Sequence, residues 1–477
     1  MQRLETSDSI LSEIDDDLKA YDLENYDNSD GDADGERESS ATTNIRSLAY
    51  YENNADDPYL KDNDENDAEE REELQILPTD NMIVAAKVED EVPYLEAYVY
   101  EDGADNLYVH HDILLPSIPI CLEWIDVPVN SAQDADGSRT EGNVIAVGTM
   151  DPDIELWDLD VVDSLYPNAI LGQQTGSDPS SSSAELKKKK KRKKSKKAND
   201  DYHVDAVLAL AANRQHRNLL ASASADRTVK LWDLNKTACA KSCTYHTDKV
   251  CSIAWHPQEA TILLSGGYDQ QVFAADMRSP DVAGPCWSVE SDVEVVRWNP
   301  HESNHFFVTT ERGLVYMHDM RAASKDPIWT LQAHDEAAST LDVNPVVPGF
   351  IATGSSDKQV KIWDIEAGKP SMVVSRNVGV GKVFSVQFGS DPEVAFRLAV
   401  SGSKGALQVW DVSTNAGVRQ AFAGRTGKTF PDAAPDRTIG VQQNNEGDET
   451  ESEADPDGDG EAVAARDWES VDGEDNA

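Results

Sequence analysis

Short runs in which apolar and polar residues alternate recur along most of the chain. In the segment Ala206 to Leu234, an alternating apolar run is followed by a polar turn and a second run at Leu219–Ala223. A turn at Asp226 and a third run ending in Trp232 and an aspartate complete the unit. A period of two bounded by turn residues is typical of half-buried β-strands. The pattern predicts three short strands per unit, followed by a fourth strand and the next entry loop.

The third run of each unit ends in an aromatic–Asp pair or a degenerate form of it. These aspartates are Asp158, Asp233, Asp276, Asp319, Asp364 and Asp411, with gaps of 75, 43, 43, 45 and 47 residues. The first gap is long because it holds a Ser- and Lys-rich insertion, predicted to be disordered over 172–200. A period near 43 resembles that of WD repeats, whose unit is a four-stranded blade. The chain is therefore predicted to be an all-β, WD-repeat β-propeller.

Six units run from about Ile120 to Ala423, and a seventh is predicted upstream. Apolar strand patterns lie at Met82–Ala86, Tyr94–Tyr100 and Leu107–Leu115, which match the second, third and fourth strands of a blade. A first strand for this blade is not evident nearby. We predict seven blades over 80–424, with a strand before the first blade or at the C-terminal end completing blade one.

A second spacing recurs inside the units. Three times, a histidine lies 23 residues before an aspartate, and a Ser or Thr lies four residues before that aspartate. In WD repeats such a His–Ser/Thr–Asp–Trp set forms a hydrogen-bonded network that fixes a turn, so the resemblance implies structural tetrads. They are His203, Ser222, Asp226 and Trp232; His334, Thr353, Asp357 and Trp363; and His246, Ser265 and Asp269, where Ala275 stands at the Trp position.

A recurring Ser, His and Asp also invites the hypothesis of a catalytic triad. A catalytic site is made once, whereas this set repeats at the blade period, so the structural interpretation is favoured. The sequence contains no phosphate-binding glycine loop, no H-E-x-x-H motif and no nucleophile elbow. We predict a binding scaffold and not an enzyme, with no cofactor and no small-molecule substrate.

Charge is distributed unevenly along the chain. It carries 42 Lys and Arg against 89 Asp and Glu, a net charge of −47. Residues 1–80 hold 26 acids and 6 bases, and residues 441–477 hold 14 acids and 1 base. Segments this acidic and this poor in large apolar residues cannot offset the entropy of ordering. Residues 1–79 and 425–477 are predicted to be mostly disordered, with a candidate short helix at 9–21.

One dense run of positive charge interrupts this acidic chain. It consists of Lys187, Lys188, Lys189, Lys190, Lys191, Arg192, Lys193, Lys194, Lys196 and Lys197. Three hypotheses fit the run: a nuclear import signal, a contact to nucleic-acid phosphates, or a solvated linker. Phosphate attraction carries no sequence information, so the run does not distinguish RNA from DNA.

The cysteines and the apolar runs bound the compartment. Five widely placed cysteines argue against a disulfide framework and favour reduced thiols in an intracellular protein. The close trio Cys239, Cys243 and Cys251 suggests zinc, but it contains no C-x-x-C pair, and buried thiols are the favoured interpretation. The N-terminus lacks a signal-peptide pattern, and no apolar run approaches the ~20 residues that span a bilayer. No membrane association is predicted.

Several segments are similar to the periodic tryptophan protein 1 family. They include VHHDILLP, ELWDLDVVD, ASASADRTVKLWDL and DKQVKIWDI, and a lysine tract between the ELWD and KLWD blades. The similarity covers roughly residues 80–424. It implies a nuclear and nucleolar protein associated with pre-rRNA and with maturation of the large ribosomal subunit, or in animals with chromatin at ribosomal DNA. Family members usually begin with an apolar strand carrying a W-V-P-R-G-like motif, which this chain, starting MQRLETSDSI, lacks; a truncated gene model and a less complete ring are both open interpretations.

The leading functional hypothesis is a scaffold for pre-60S assembly proteins and pre-rRNA in the nucleolus. A first alternative is a regulator of ribosomal RNA transcription that binds histones through its acidic tails. A second is a cullin-4 ubiquitin-ligase substrate receptor, since Asp-x-Arg endings place Arg278 and Arg321 after two adjacent blades. Candidate phosphorylation sites have an acidic residue three positions later: Ser12, Ser29, Thr450 and Ser452.

Overall fold

The computed structural model describes residues 75–129, 141–162, 164–172, 199–279, 284–366, 368–426 and 435–441. The chain divides into two compact units, Met1–Gln75 and Ile76–Ala477. All described residues except Gln75 belong to the second unit. The predicted helix at 9–21, the lysine tract and the four candidate phosphorylation sites lie outside the described residues.

The second unit is a ring of seven antiparallel sheets, the blades of a β-propeller, so the predicted fold class is confirmed. The described strands are, blade by blade, β1 (Asn81–Glu89), β2 (Val92–Glu101) and β3 (Asn106–Leu114); β4 (Pro119–Ile125), β5 (Val144–Thr149), β6 (Ile154–Asp158) and β7 (Ala169–Leu171); β8 (Val207–Ala212), β9 (Leu219–Ser224), β10 (Val229–Asp233) and β11 (Ala238–Cys243); β12 (Val250–Trp255), β13 (Ile262–Gly267), β14 (Gln271–Asp276) and β15 (Cys286–Ser288); β16 (Val293–Trp298), β17 (His305–Thr310), β18 (Leu314–Asp319) and β19 (Trp329–Gln332); β20 (Thr340–Val343), β21 (Phe350–Gly354), β22 (Val360–Asp364) and β23 (Ser371–Arg376); and β24 (Val383–Phe388), β25 (Arg397–Gly402), β26 (Leu407–Asp411) and β27 (Thr438–Gly440).

The first strand of each four-stranded blade is its inner strand, and inner strands of successive blades pack side by side from β4 to β24. The approach is close. A Cβ atom added at Gly266 in β13 would lie 2.7 Å from Val293, which begins the next inner strand, and one at Gly354 would lie 2.5 Å from Val383. These distances are shorter than any normal carbon–carbon contact, so glycine is required there for the blades to pack.

Blade one differs from the other six because it has three strands. In the described part of the chain, β1 pairs with β2 alone, along a register that joins Asn81 to Tyr100 and Glu89 to Val92. Its strands occupy the second, third and fourth positions, in agreement with the pattern in the sequence. The inner position of this blade is not filled by any described residue.

The predicted C-terminal limit of the propeller was wrong, and so was the predicted partner of the C-terminal strand. Strand β27 pairs with β26 and completes blade seven, so the propeller extends past residue 424 to Gly440. Helix α1 (Ala416–Thr426) lies between these strands, and its Phe422 stacks on Phe350 with ring centroids 4.0 Å apart. The sequence analysis missed this arrangement because the helix and the polar segment after it interrupt the strand pattern.

Candidate functional site

The four tetrad residues of blade three lie together in the structure. His203 Nδ1 is 3.0 Å from Asp226 Oδ2, and His203 Nε2 is 2.7 Å from the Ser222 hydroxyl. The Trp232 indole N–H donates to the same hydroxyl over 2.8 Å. With Nδ1–H donated to the carboxylate, Nε2 accepts the serine proton, so each group has a partner.

This tetrad is electrostatically committed to structure. Burial lowers the pKa of His203, although the hydrogen bond and charge of Asp226 oppose the shift. Burial alone would raise the pKa of Asp226, but the hydrogen bonds from His203, Thr228 and the Val204 amide lower it well below its usual range. A serine whose hydroxyl is 0% exposed and already bonded to histidine and tryptophan is not placed to attack a substrate.

Blade six repeats the arrangement, and blade four keeps most of it. His334 lies 2.9 Å from Asp357 and 2.8 Å from Thr353, to which Trp363 donates over 2.9 Å. In blade four, the three equivalent distances and contacts are made by His246, Ser265 and Asp269, and Ala275 contributes no donor. The edge of Phe273 packs against the His246 ring instead, with centroids 4.8 Å apart.

Other polar side chains link neighbouring blades, and the sequence analysis missed them. Glu123 on β4 accepts the amide N–H of Ala212 over 3.0 Å, and Asp342 on β20 accepts that of Phe388 over 2.8 Å. Burial raises the pKa of Asp342 to about 6, although the charge of Arg297 opposes the shift. The only signal in the sequence is an acidic residue inside an otherwise apolar strand pattern.

These acids line a cavity of about 430 Å³ where the inner strands of blades two to six end. Arg214 closes one side, paired to Glu123 at 3.0 Å, and Arg297 lies among the lining residues. The acids are already used as acceptors between blades, so the cavity is a consequence of ring packing.

The two Asp-x-Arg endings lie on the propeller surface. Arg278 forms a close ion pair with Asp276 at 2.6 Å, and Arg321 lies 3.6 Å from Asp319. Their side chains remain 72% and 66% exposed. The structure therefore brings each arginine to its own blade's aspartate and leaves it accessible to a partner.

Metal and membrane chemistry find no support among the described residues. No group of three or more His, Cys, Asp or Glu side chains is arranged there to hold a metal ion, and the five cysteines are free thiols. Burial raises the pKa of Cys121 to about 12, which keeps it protonated. No described helix is both long enough and apolar enough to span a membrane.

Seven antiparallel blades with buried His–Ser/Thr–Asp–Trp networks define a WD-repeat β-propeller, a class that serves as a scaffold for other macromolecules. The model of the WD domain, G-beta repeat matches residues 198–233, 237–273 and 325–364. The fold and the relatives below point to a non-catalytic protein.

Three relatives match most of the chain. An uncharacterised WD repeat-containing protein of Schizosaccharomyces pombe is 51% identical over 87% of this chain and 77% of its own length. Periodic tryptophan protein 1 of Saccharomyces cerevisiae is 37% identical over 86% of this chain and 77% of its own. A Drosophila melanogaster homolog of that protein is 31% identical over 81% and 78%. The chain belongs to the periodic tryptophan protein 1 family.

Proposed function

We propose that the protein is a non-enzymatic scaffold for assembly of the large ribosomal subunit and for pre-rRNA processing, acting in the nucleolus. The observation that carries the proposal is the dense lysine tract, 187–197, between two blades of an otherwise acidic propeller protein of this family. The role attached to the family by resemblance supports it, and so does a fold that binds macromolecules without chemistry of its own.

The position of the tract makes it separable from the fold. Strand β7 ends at Leu171 and strand β8 begins at Val207, so the tract lies in a connection between blades two and three. Ten bases in eleven positions attract phosphates, and an acidic chain of net charge −47 repels nucleic acid elsewhere. An import receptor and an RNA backbone are both ligands for such a run.

The test compares three full-length proteins that differ only over Lys187–Lys197. The first is wild type, the second replaces the basic residues with Gly and Ser at constant length, and the third replaces the lysines with arginine as the charge-matched control. We expect the Gly/Ser protein to remain folded, to lose nucleolar enrichment and to fail in large-subunit rRNA maturation, whereas the arginine protein keeps both.

Fusing an unrelated import signal to the Gly/Ser protein separates the two roles. Restored rRNA maturation assigns the tract to import alone. Persistent failure, with wild-type RNA association that falls steeply as salt rises, assigns it to phosphate contact as well. A Gly/Ser protein that stays nucleolar and supports normal processing would refute the proposal for the tract.

Sedimentation distinguishes the proposed role from the two alternatives. A large-subunit assembly factor travels with pre-60S particles, whereas a chromatin regulator stays with nuclease-released nucleosomes. Substituting Arg278 and Arg321 by alanine tests the ligase-receptor alternative, because both guanidinium groups are exposed. We expect this double variant to keep its pre-60S association.

A further inference from the structure

The inner position of blade one is an open slot between blades two and seven. A cavity of about 680 Å³ occupies it, lined by Met82, Ile83 and Val84 of β1, Trp124 of β4, and Gln387 and Phe388 of β24. In the six complete blades this position holds a strand hydrogen-bonded to the second strand.

Strand β1 is built like a covered strand but is not covered. All six residues of β5 and all five of β21, which are second strands of complete blades, are buried. None of the nine residues of β1 is buried, although its first half reads Asn-Met-Ile-Val-Ala-Ala. Its outer edge also carries backbone N–H and C=O groups with no strand beside them, a recognised template for pairing with another chain.

The blade-two side of the slot presents a donor that points to a strand in other blades. Trp255 and Trp298, at the matching register position of their inner strands, donate their indole N–H to a carbonyl of the preceding inner strand, each over 3.0 Å. Trp124 has the same register position in β4. It is 46% exposed and donates to the Asn143 side chain instead.

The blade-seven side presents acceptors in the same way. Ser252 and Thr340 accept an amide N–H from the following inner strand over 3.0 and 3.3 Å, and Ser385 has their register position in β24. Gln387 matches Asp342, which accepts the Phe388 amide. Both Ser385 and Gln387 are exposed.

Phe384 completes the picture of an unfilled position. At the bulge of β12, Cys251 donates to the Val293 carbonyl of the next blade over 2.8 Å. Phe384 is the bulge residue of β24, where the next strand is missing, and its ring is 59% exposed.

We infer that the slot binds an extended segment of a partner protein as the inner strand of blade one, paired antiparallel to β1. The inner strands of blades three, four, five and seven share a pattern, aliphatic at the first and fourth residues and apolar at the sixth. The occupant requires the same pattern. Its fourth and sixth amides face Ser385 and Gln387, and its fifth carbonyl faces the Trp124 indole.

Charge selects the partner. Asp80 precedes β1, and Glu89, Asp90 and Glu91 follow at its other end, so an occupant with lysine or arginine on both sides of its apolar pattern is favoured. Residues 1–80 of this chain, with 26 acids and 6 bases, and a second copy of net charge −47 would bring like charge to the same place.

The probe is a synthetic peptide, Lys-Lys-Val-Ser-Ser-Ile-Ala-Trp-Lys-Lys, which carries the pattern of β12 between lysine pairs. Added to the full-length protein, it should bind with one-to-one stoichiometry by calorimetry and slow amide hydrogen exchange across Asn81–Glu89. Two control peptides replace the isoleucine with proline, which removes the amide facing Ser385, or the lysines with glutamate. Both should bind at least about tenfold more weakly, a difference of about 1.4 kcal/mol.

Three variants locate the site on the protein. Trp124→Ala and Phe384→Ala should each weaken peptide binding about fivefold or more. Met372→Ala, at an apolar side chain that is 56% exposed on an outer strand, is the matched control and should not change it. Since all three side chains are exposed, none of these changes should unfold the ring.

Several outcomes would overturn the inference. They are no peptide binding, equal binding of the proline peptide, or binding unaffected by both slot variants. Exchange protection of Asn81–Glu89 in the protein alone that disappears on deleting residues 1–74 would assign the slot to this chain. Protection that appears only with dimerisation in sedimentation equilibrium would assign it to a second copy. Each result is independent of nucleolar localisation and rRNA processing, so it leaves the proposed function untouched.

Discussion

The buried His318 side chain predicts a pH-dependent loss of stability that one substitution removes. This histidine stands where blades three and six carry the tetrad tryptophan, it is 1% exposed, and its ring stacks on Phe306 with centroids 5.3 Å apart. Neither ring nitrogen has a hydrogen-bond partner in the described part of the chain. An unpaired buried polar group costs about 1–3 kcal/mol. His318→Phe keeps the stacking and should raise the free energy of unfolding by about that amount at pH 7.5.

The pH dependence follows from the charged form of the same ring. Burial lowers the pKa of His318 from 6.5 to about 4, although the charge of Asp326 opposes the shift. Between these values the unfolded chain binds the proton and the folded chain does not, so stability is complete above pH 6.5 and is lost as pH falls toward 4. The loss at pH 5 is about 2 kcal/mol.

The assay is urea unfolding of wild type and His318→Phe, followed by tryptophan fluorescence at pH 7.5, 6.5, 5.5 and 5.0. Other titrating groups are common to both proteins, so their contributions cancel in the difference. We expect that difference to widen by about 2 kcal/mol from pH 7.5 to pH 5. His216→Phe, at an exposed histidine, controls for the loss of a histidine as such. A difference that stays constant over this range would refute the argument.

Three further predictions concern groups that hold the ring. Asp226→Ala should lower the free energy of unfolding by about 1–3 kcal/mol, because His203 and the Val204 amide lose their acceptor; unchanged melting together with lost partner binding would instead place this aspartate in a ligand site. Arg397→Ala should lower the melting temperature more than the exposed-pair variant Arg278→Ala, since only Arg397 joins two blades; equal effects would contradict this. Glu294→Gln should raise stability above pH 7 and not below pH 4, because burial first and nearby acids second raise the pKa of Glu294 to about 7; equal urea midpoints for both proteins at pH 8 would refute it.

Local regularities carried the successful part of the sequence analysis. A tetrad joins residues 19 and 23 apart inside one blade, so a fixed spacing predicts which side chains meet, as His203, Ser222 and Asp226 do. Blade boundaries were predictable for the same reason, since each blade forms from one continuous segment. The inserted segments did not obscure the period because they lie between strands.

Contacts between distant segments were not predictable from the pattern. Arg397 of blade seven lies 2.6 Å from Asp102, which is 295 residues earlier in the chain, and nothing near either residue marks the pairing. Strand β27 has three residues and follows a helix, so its length and its polar surroundings give no strand signal. The position of ring closure is a property of the whole circle, and a period read along the chain does not contain it.

The way in which the ring closes connects these observations. Elsewhere neighbouring blades are held by inner strands in close contact, whereas between blades seven and one the inner contact is missing and Arg397 links Asp102 to Asp411 at 2.6 Å on each side. Arg437, just before β27, donates to the Asp102 carbonyl over 2.8 Å. Ion pairs that remain 8–31% exposed are partly screened by salt, while packed strands are not. Blade one is therefore held chiefly at its outer side by charge, and a strand bound in its inner position would add the contact that every other junction has.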